Sequence, residues 1–148
     1  MQVRLAYETD VDAFVEMAKA NIDETRPDME WDEDTCRDTF WEYIDSASPT
    51  IWMCVKGEEP IGFLLADMYG FRAAKGLIVT QEVIFVRPAY RGSRAALLLM
   101  KELIAWAKQM GAKEIIGGND NSFNSERTAR FLEHFGFERV GFSMRRRL

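Results

Sequence analysis

Hydrophobic and polar positions along the chain predict alternating strands and helices. Residues 3–6 alternate and predict a short strand. Apolar residues at helical spacing then predict two helices, the first carrying Val11, Phe14, Val15, Ala18 and Ile22 and the second Cys36, Phe40, Tyr43 and Ile44. The break at residues 26–27, Arg-Pro, separates these two helices because proline cannot continue a helix.

The second half of the chain predicts a sheet with further helices. A hairpin is expected from strands 51–55 and 61–66 around a turn at 57–60, followed by a long apolar strand at 77–86 that ends before Pro88. Further elements are expected as a helix at about 93–110, a strand at 114–116, a polar loop at 117–124, a helix from Ser125 to Gly136, and a final strand or strand pair at 137–145. This order predicts one α/β domain over residues 1–148, built around one mixed sheet.

Composition narrows the possible functions. The 148 residues are 47% hydrophobic and 29% charged, which fits one globular domain. The net charge of −5 argues against nucleic acid as a partner, because phosphate binding needs a basic surface. Two cysteines and one histidine argue against a disulfide framework and a histidine zinc site, so no metal is expected. No segment resembles a signal peptide or a membrane helix, which favours a soluble cytoplasmic protein.

The chemistry is concentrated where the strand at 77–86 meets the next helix. The connecting turn holds small and basic residues, namely Arg91, Gly92, Ser93, Arg94, Ala95 and Ala96. The unpaired N–H groups at a helix start bind anions, and small side chains let a phosphate approach them. The spacing differs from that of dinucleotide-binding and Walker A loops.

This turn resembles the acetyl-CoA signature of the GNAT superfamily of N-acetyltransferases, Arg/Gln-x-x-Gly-x-Gly/Ala. The chain reads Val86-Arg87-Pro88-Ala89-Tyr90-Arg91-Gly92-Ser93-Arg94-Ala95-Ala96, so Arg91 and Ala96 match the signature and Arg94 replaces its glycine. The segments at 61–63 and 131–137 also resemble motifs of this superfamily. The resemblance therefore covers nearly the whole chain.

The resemblance implies a three-layer α/β/α fold with one central mixed, mostly antiparallel sheet. It implies acetyl-CoA as the co-substrate, with the pantetheine arm along the backbone of Ile84, Phe85 and Val86 and the diphosphate on residues 92–96. It further implies direct transfer of the acetyl group to the amine of a small molecule or a protein. Homodimers paired through the last strands are common in the superfamily, so the resemblance also allows a homodimer.

Glu82 is the candidate general base, because it interrupts an apolar strand four residues before that strand ends. Regular alternation would place Thr80, Glu82, Ile84 and Val86 on one face, with Glu82 partly buried. Superfamily members often carry a glutamate near this position. The alternative is a structural carboxylate that pairs with Arg87 or Arg91.

Two positions of the resemblance and three loop asparagines leave alternatives open. Leu132 stands where the superfamily usually has the tyrosine that acts as general acid, and Glu126 stands where it has a cofactor-contacting asparagine. Asn124, or Asn119 and Asn121, could replace that asparagine or could simply shape the loop. The alternative to an enzyme is therefore a catalytically weak or inactive module that binds coenzyme A or a protein.

Two charged features also allow two interpretations. Arg94 is either a phosphate clamp or a solvated arginine, and a cation in a first helical turn favours the phosphate partner. The acidic segment at 24–38, which contains Trp31, is either a rim that attracts a cationic amine or a solvated loop and helix cap.

Overall fold

The computed structural model describes residues 1–46, 48–119 and 121–148. Its helices are α1 (Val11–Thr25), α2 (Glu33–Ile44), α3 (Ala95–Gln109) and α4 (Ser125–Glu133), and its strands are β1 (Gln2–Leu5), β2 (Thr50–Lys56), β3 (Glu59–Gly70), β4 (Leu77–Val86) and β5 (Glu114–Ile116). Single 3₁₀ turns cover Glu8–Asp10 and Pro88–Tyr90. The chain divides into two compact units, Met1–Ile116 and Gly117–Leu148.

The first unit contains one five-stranded sheet in the order β1-β2-β3-β4-β5. The first four strands pair antiparallel in sequence order, and β4 pairs parallel with β5 across the α3 connection. A mixed, mostly antiparallel sheet flanked by helices confirms the predicted fold class.

Helices pack on both faces of this sheet. On one face, Phe14 of α1 and Phe40 of α2 pack with Phe63 and Phe85 of the sheet. The ring centroid of Phe14 lies 5.2 Å from that of Phe40 and 4.9 Å from that of Phe63, and the centroids of Phe63 and Phe85 are 6.0 Å apart. The opposite face meets α3, where Trp106 contacts Trp52 edge-on at 5.3 Å. Alternate residues of each strand therefore belong to two apolar layers.

The second unit contains α4 and the residues that follow it. The prediction of a strand or strand pair at 137–145 is wrong, because residues 137–148, all of which the structure describes, contain no strand. Val140, Phe142 and Met144 are 78%, 98% and 91% exposed, so no apolar burial stabilises an extended ladder there. Their alternation alone suggested a strand.

Gly62 lets β3 approach β4 closely near the end of β4. A Cβ built at this position would lie 2.7 Å from the backbone oxygen of Phe85. We expect Gly62→Ala to lower the free energy of unfolding by about 1–3 kcal/mol, because the two backbones must separate. Urea denaturation measures the change. Gly70→Ala is the matched control on the same strand, since its Cβ would meet no atom within 4 Å. Equal effects of the two substitutions would contradict the steric argument.

Candidate active site

The turn between β4 and α3 presents backbone N–H groups without acceptors. We call residues 92–97 the amide turn. Within the described part of the chain, the N–H groups of Gly92, Arg94, Ala96 and Leu97 have no hydrogen-bond partner, and the first α3 bond runs from the Leu98 N–H to the Arg94 oxygen at 2.9 Å. Such groups at a helix start attract anions.

The local sequence explains the shape of the amide turn. Gly92 has φ +84°, a conformation that disfavours residues with a side chain. Ser93 Oγ accepts a hydrogen bond from the Ala95 N–H at 3.3 Å, and Ala95 is fully buried under the helix start. Ala96 is half-buried and Arg94 is exposed, and Arg94 forms no ion pair with any residue that the structure describes. The guanidinium of Arg94 is thus available to an anion.

Arg91 has a different environment from the one expected for a phosphate ligand. Its two terminal nitrogens each lie 2.6 Å from a Glu24 carboxylate oxygen, and its Nε donates to the Val86 oxygen at 3.1 Å. The hydrogen bonds to Glu24 raise the pKa of Arg91. Arg87 similarly bonds Glu16 at 2.6 Å. These arginines therefore attach the strand end to α1, and their charges are already compensated.

We expect Glu24→Gln to lower the free energy of unfolding by about 0.5–1 kcal/mol, because a two-bond ion pair between partly exposed groups is lost. Chemical denaturation measures the change. Asp23→Asn is the control, since it removes a carboxylate whose ion pair with Lys19 is more exposed. A larger loss for Asp23→Asn than for Glu24→Gln would contradict the attachment of the strand end by Arg91.

β4 separates from β5 halfway along its length. The last parallel pair joins Thr80 and Ile116, whereas β4 continues to Val86. Residues 82–86 of β4 therefore have no β5 partner. Phe85 is 4% exposed and its ring belongs to the core, so only its backbone can contact a ligand at this edge.

A β-bulge in β4 determines the position of Glu82. Leu65 lies opposite Val83 and Ala66 lies opposite Gln81, which leaves Glu82 as the extra residue. Because of this bulge, Val83 and Phe85 lie on the α1–α2 face and Ile84 and Val86 on the α3 face. The predicted grouping of Glu82 with Ile84 and Val86 on one face is therefore wrong, since regular alternation does not continue through a bulge.

Glu82 is exposed rather than partly buried. Its predicted structural partners are engaged elsewhere, Arg87 with Glu16 and Arg91 with Glu24. Among the described residues Glu82 forms no ion pair or hydrogen bond. The bulge therefore presents a carboxylate that is open to solvent and to a substrate, at the place where β4 leaves β5.

A tyrosine and an aspartate that sequence reasoning missed lie on the same face. The Tyr43 hydroxyl on α2 donates a 2.7 Å hydrogen bond to the Asp67 carboxylate on β3. Burial, this hydrogen bond and the nearby charges of Asp67 and Glu82 raise the pKa of Tyr43. Asp67 also lies directly opposite Thr80 in the ladder, next to the bulge. Tyr43 was predicted only as part of an apolar helix face, and the 24 residues that separate it from Asp67 left no local signal.

The asparagines of the predicted polar loop shape the second unit. Asn119 Nδ2 donates to the Phe123 oxygen and its Oδ1 accepts from Ser125, while Asn121 Oδ1 accepts from the Phe123 N–H. Asn124 precedes α4 with φ +50°, and its backbone oxygen accepts from the Thr128 N–H. Asn119 and Asn121 are thus loop-forming residues, whereas Asn124 remains a predicted cofactor contact.

The acidic segment is used partly for structure. Glu24 binds Arg91, Asp28 binds Arg26, and Asp32 accepts a hydrogen bond from the Thr35 N–H at the start of α2. Residues 30–34 line an open cleft of about 430 Å³ beside Trp31. Both interpretations of the segment therefore keep some support: several acids are caps or ion pairs, and a negatively charged cleft is present.

Two kinds of feature are absent from the part of the chain that the structure describes. No helix in the described ranges is long and apolar enough to cross a bilayer. Within the same ranges, no group of three or more histidine, cysteine or acidic side chains is placed to hold a metal ion.

Comparison with known proteins gives both a family and a fold. The family model described as the acetyltransferase (GNAT) family matches residues 15–137. A crystal structure of a transcriptional regulator from Bacillus halodurans C-125 is 21% identical, with a TM-score of 0.83 and coverage of 99% of both chains. None of the curated protein sequences matches the chain significantly.

Two aminoglycoside acetyltransferases are also similar in structure. The aminoglycoside N-acetyltransferase AAC(6')-Iy in complex with CoA is 19% identical, with a TM-score of 0.80, and the match covers 99% of this chain and 93% of that one. The aminoglycoside 6'-N-acetyltransferase AAC(6')-IG from Acinetobacter haemolyticus is 18% identical, with a TM-score of 0.75 and coverage of 99% and 100%.

Proposed function

Because the chain belongs to the acetyltransferase (GNAT) family, we propose that it is an N-acetyltransferase that passes the acetyl group of acetyl-CoA directly to an amine. The acceptor is an amine-bearing small molecule or a protein amine, and both substrates are bound when the group is transferred. The observation that carries this proposal is the amide turn, whose four free N–H groups lie just beyond the unpaired edge of β4.

The cofactor fits this arrangement as two chemically distinct parts. The diphosphate accepts hydrogen bonds from the free N–H groups of Gly92, Arg94 and Ala96 at the helix start, and the Arg94 guanidinium adds positive charge. The Ser93 and Ala95 N–H groups already donate to the Tyr90 oxygen and to Ser93 Oγ, so these two residues contact the cofactor as small side chains that let it approach. The pantetheine amides bond the backbone of Ile84, Phe85 and Val86, since this part of β4 has no β5 partner. Arg91 supports the turn through Glu24 and Val86, and Asn124 remains a proposed further contact.

Glu82 is the proposed general base. An amine is protonated at neutral pH, so one proton must leave before its nitrogen can attack the acetyl carbonyl. The exposed carboxylate of Glu82 at the bulge accepts that proton. The nitrogen then forms the new C–N bond and gives its second proton to solvent water, the tetrahedral intermediate loses the C–S bond, and the electron pair leaves on the sulfur of coenzyme A.

The leaving thiolate takes its proton from water or a tyrosine. Leu132 is buried and has no proton to give. Tyr69 is 49% exposed, whereas the Tyr90 hydroxyl already donates to Glu59 at 2.7 Å, a bond that raises the pKa of Tyr90. Water or Tyr69 therefore fits this step better than Tyr90 does.

A second candidate function is a catalytically inactive module that binds coenzyme A. Glu126, at the position of the usual asparagine, bonds both terminal nitrogens of Arg139 at 2.7 and 3.0 Å. This carboxylate is therefore occupied by an ion pair. Glu126 and Leu132 thus stand in place of two side chains that the resemblance associates with cofactor contact and with proton donation.

Two measurements separate these functions. Acetyl-CoA at a hundred times its Kd stabilises the native protein by about 2.7 kcal/mol, which raises the melting temperature. Thiol release with a panel of primary amines then tests transfer. No thermal shift at millimolar acetyl-CoA overturns both functions, and a shift without thiol release for any amine supports the inactive module.

A further inference from the structure

The apolar face of the sheet becomes polar beyond the bulge. Up to that point, Phe63, Leu65, Val83 and Phe85 pack under α1 and α2. Beyond it, Asp67 and Thr80 stand opposite each other in the ladder, and Glu82 follows two residues after Thr80. We call Asp67, Thr80 and Glu82 the polar sheet end.

Asp67 is held in place from α2. The 2.7 Å hydrogen bond from Tyr43 occupies one of its carboxylate oxygens and leaves the other free to accept. Tyr43 and Asp67 are both half-buried, so the carboxylate is oriented by packing as well as by the hydrogen bond. The tyrosine oxygen also keeps a lone pair for a further donor.

Asp67 and Glu82 lie close to each other at the polar sheet end. Asp67 stands opposite Thr80, Glu82 follows two residues later at the bulge, and the charges of both carboxylates act on the Tyr43 hydroxyl. Among the described residues Glu82 has no cation partner, and Asp67 is hydrogen-bonded by the neutral Tyr43 and forms no ion pair. No cationic side chain among the described residues therefore neutralises the negative charge at the polar sheet end.

We propose that Asp67, oriented by Tyr43, determines the specificity of the enzyme for acceptors that carry a second ammonium group close to the amine that Glu82 deprotonates. The inference rests on the proposed acetyl transfer and specifies its substrate class as a short diamine or polyamine. The second ammonium stays protonated, and it donates hydrogen bonds to the free Asp67 oxygen and to the Tyr43 oxygen. Asp67 thus acts on binding, whereas Glu82 acts on the proton of the reacting amine.

Matched acceptors test this proposal. We compare kcat/KM for 1,4-diaminobutane and for butylamine, which lacks only the second amino group. The wild-type enzyme prefers the diamine by about fivefold, the upper value expected for one ammonium–carboxylate contact at a partly exposed site. Asp67→Asn removes this preference, because its KM rises much more for the diamine than for butylamine. Tyr43→Phe reduces the preference, because Asp67 loses the group that orients it.

Glu58→Gln is the control, because it removes an exposed carboxylate from the turn between β2 and β3, outside the polar sheet end and outside the acidic segment. It keeps the preference, and the acetyl-CoA thermal shift shows that all variants are folded. An unchanged preference in Asp67→Asn overturns the inference, as does a wild-type enzyme that acetylates amines without favouring the diamine. A wild-type enzyme that acetylates no amine overturns the proposed function itself, and the inference falls with it.

Discussion

Ala96→Glu is expected to weaken acetyl-CoA binding about a hundredfold while leaving the fold intact. The substitution places a carboxylate in the first turn of α3, beside the amides proposed to hold the diphosphate. Two like charges about 5 Å apart repel by about 3 kcal/mol at the effective dielectric constant of a protein surface. The same carboxylate is favourable for the helix itself, because it lies at the positive end of the helix dipole.

The prediction is specific because the same carboxylate should weaken acetyl-CoA binding and should not lower the stability of the free protein. Isothermal titration measures the affinity, and thermal unfolding without ligand measures the stability. Ala96→Gln is the matched control, since it adds a side chain of the same length without charge and removes the electrostatic part of the loss. Similar affinities for the glutamate and glutamine variants would mean that the diphosphate is bound elsewhere.

Glu82→Gln is expected to lower kcat by about 10²–10⁴-fold, the usual contribution of a general base. Glutamine keeps the size and polarity of the side chain but cannot accept the proton of the ammonium. Because Glu82 lies on the bulge and away from the amide turn, the affinity for acetyl-CoA should stay within about twofold of wild type. Thiol release under saturating substrates measures kcat, and titration measures the affinity.

Glu42→Gln is the control for this substitution. Glu42 lies on α2, and its charge also acts on Tyr43, but it is outside the bulge. It should keep nearly the full rate. A Glu82→Gln enzyme with wild-type kcat would assign the base to another group or to water, and a large loss of cofactor affinity would show that Glu82 acts on binding.

The fold was predictable because each major element carries its own periodic pattern. β4 begins and ends at the predicted residues, Leu77 and Val86, since a β-branched apolar run is bounded by Gly76 and Pro88. The amide turn followed from the small residues between that strand and the next helix. In contrast, the apolar alternation at 140–144 gave a false strand, because alternation specifies a face only where a partner strand buries it.

The details of the site depend on contacts that the sequence does not encode locally. The bulge at Glu82 arises from the register of β3 against β4, and strand alternation alone assigned the wrong companions to this side chain. Arg91, whose position in the motif predicts a cofactor contact, bonds Glu24, 67 residues earlier in the chain, and no local signal in the sequence indicates this ion pair. The Tyr43–Asp67 hydrogen bond likewise joins a helix and a strand whose pairing appears only in the folded chain.

The amide turn can be observed directly by a ¹H–¹⁵N NMR titration of the labelled protein with coenzyme A. If the turn holds the diphosphate, the amide signals of Gly92, Arg94, Ala96 and Leu97 shift downfield and saturate together, as expected for N–H groups that gain anionic acceptors. If coenzyme A binds and these four signals stay in place while others move, the diphosphate lies elsewhere and the account is contradicted.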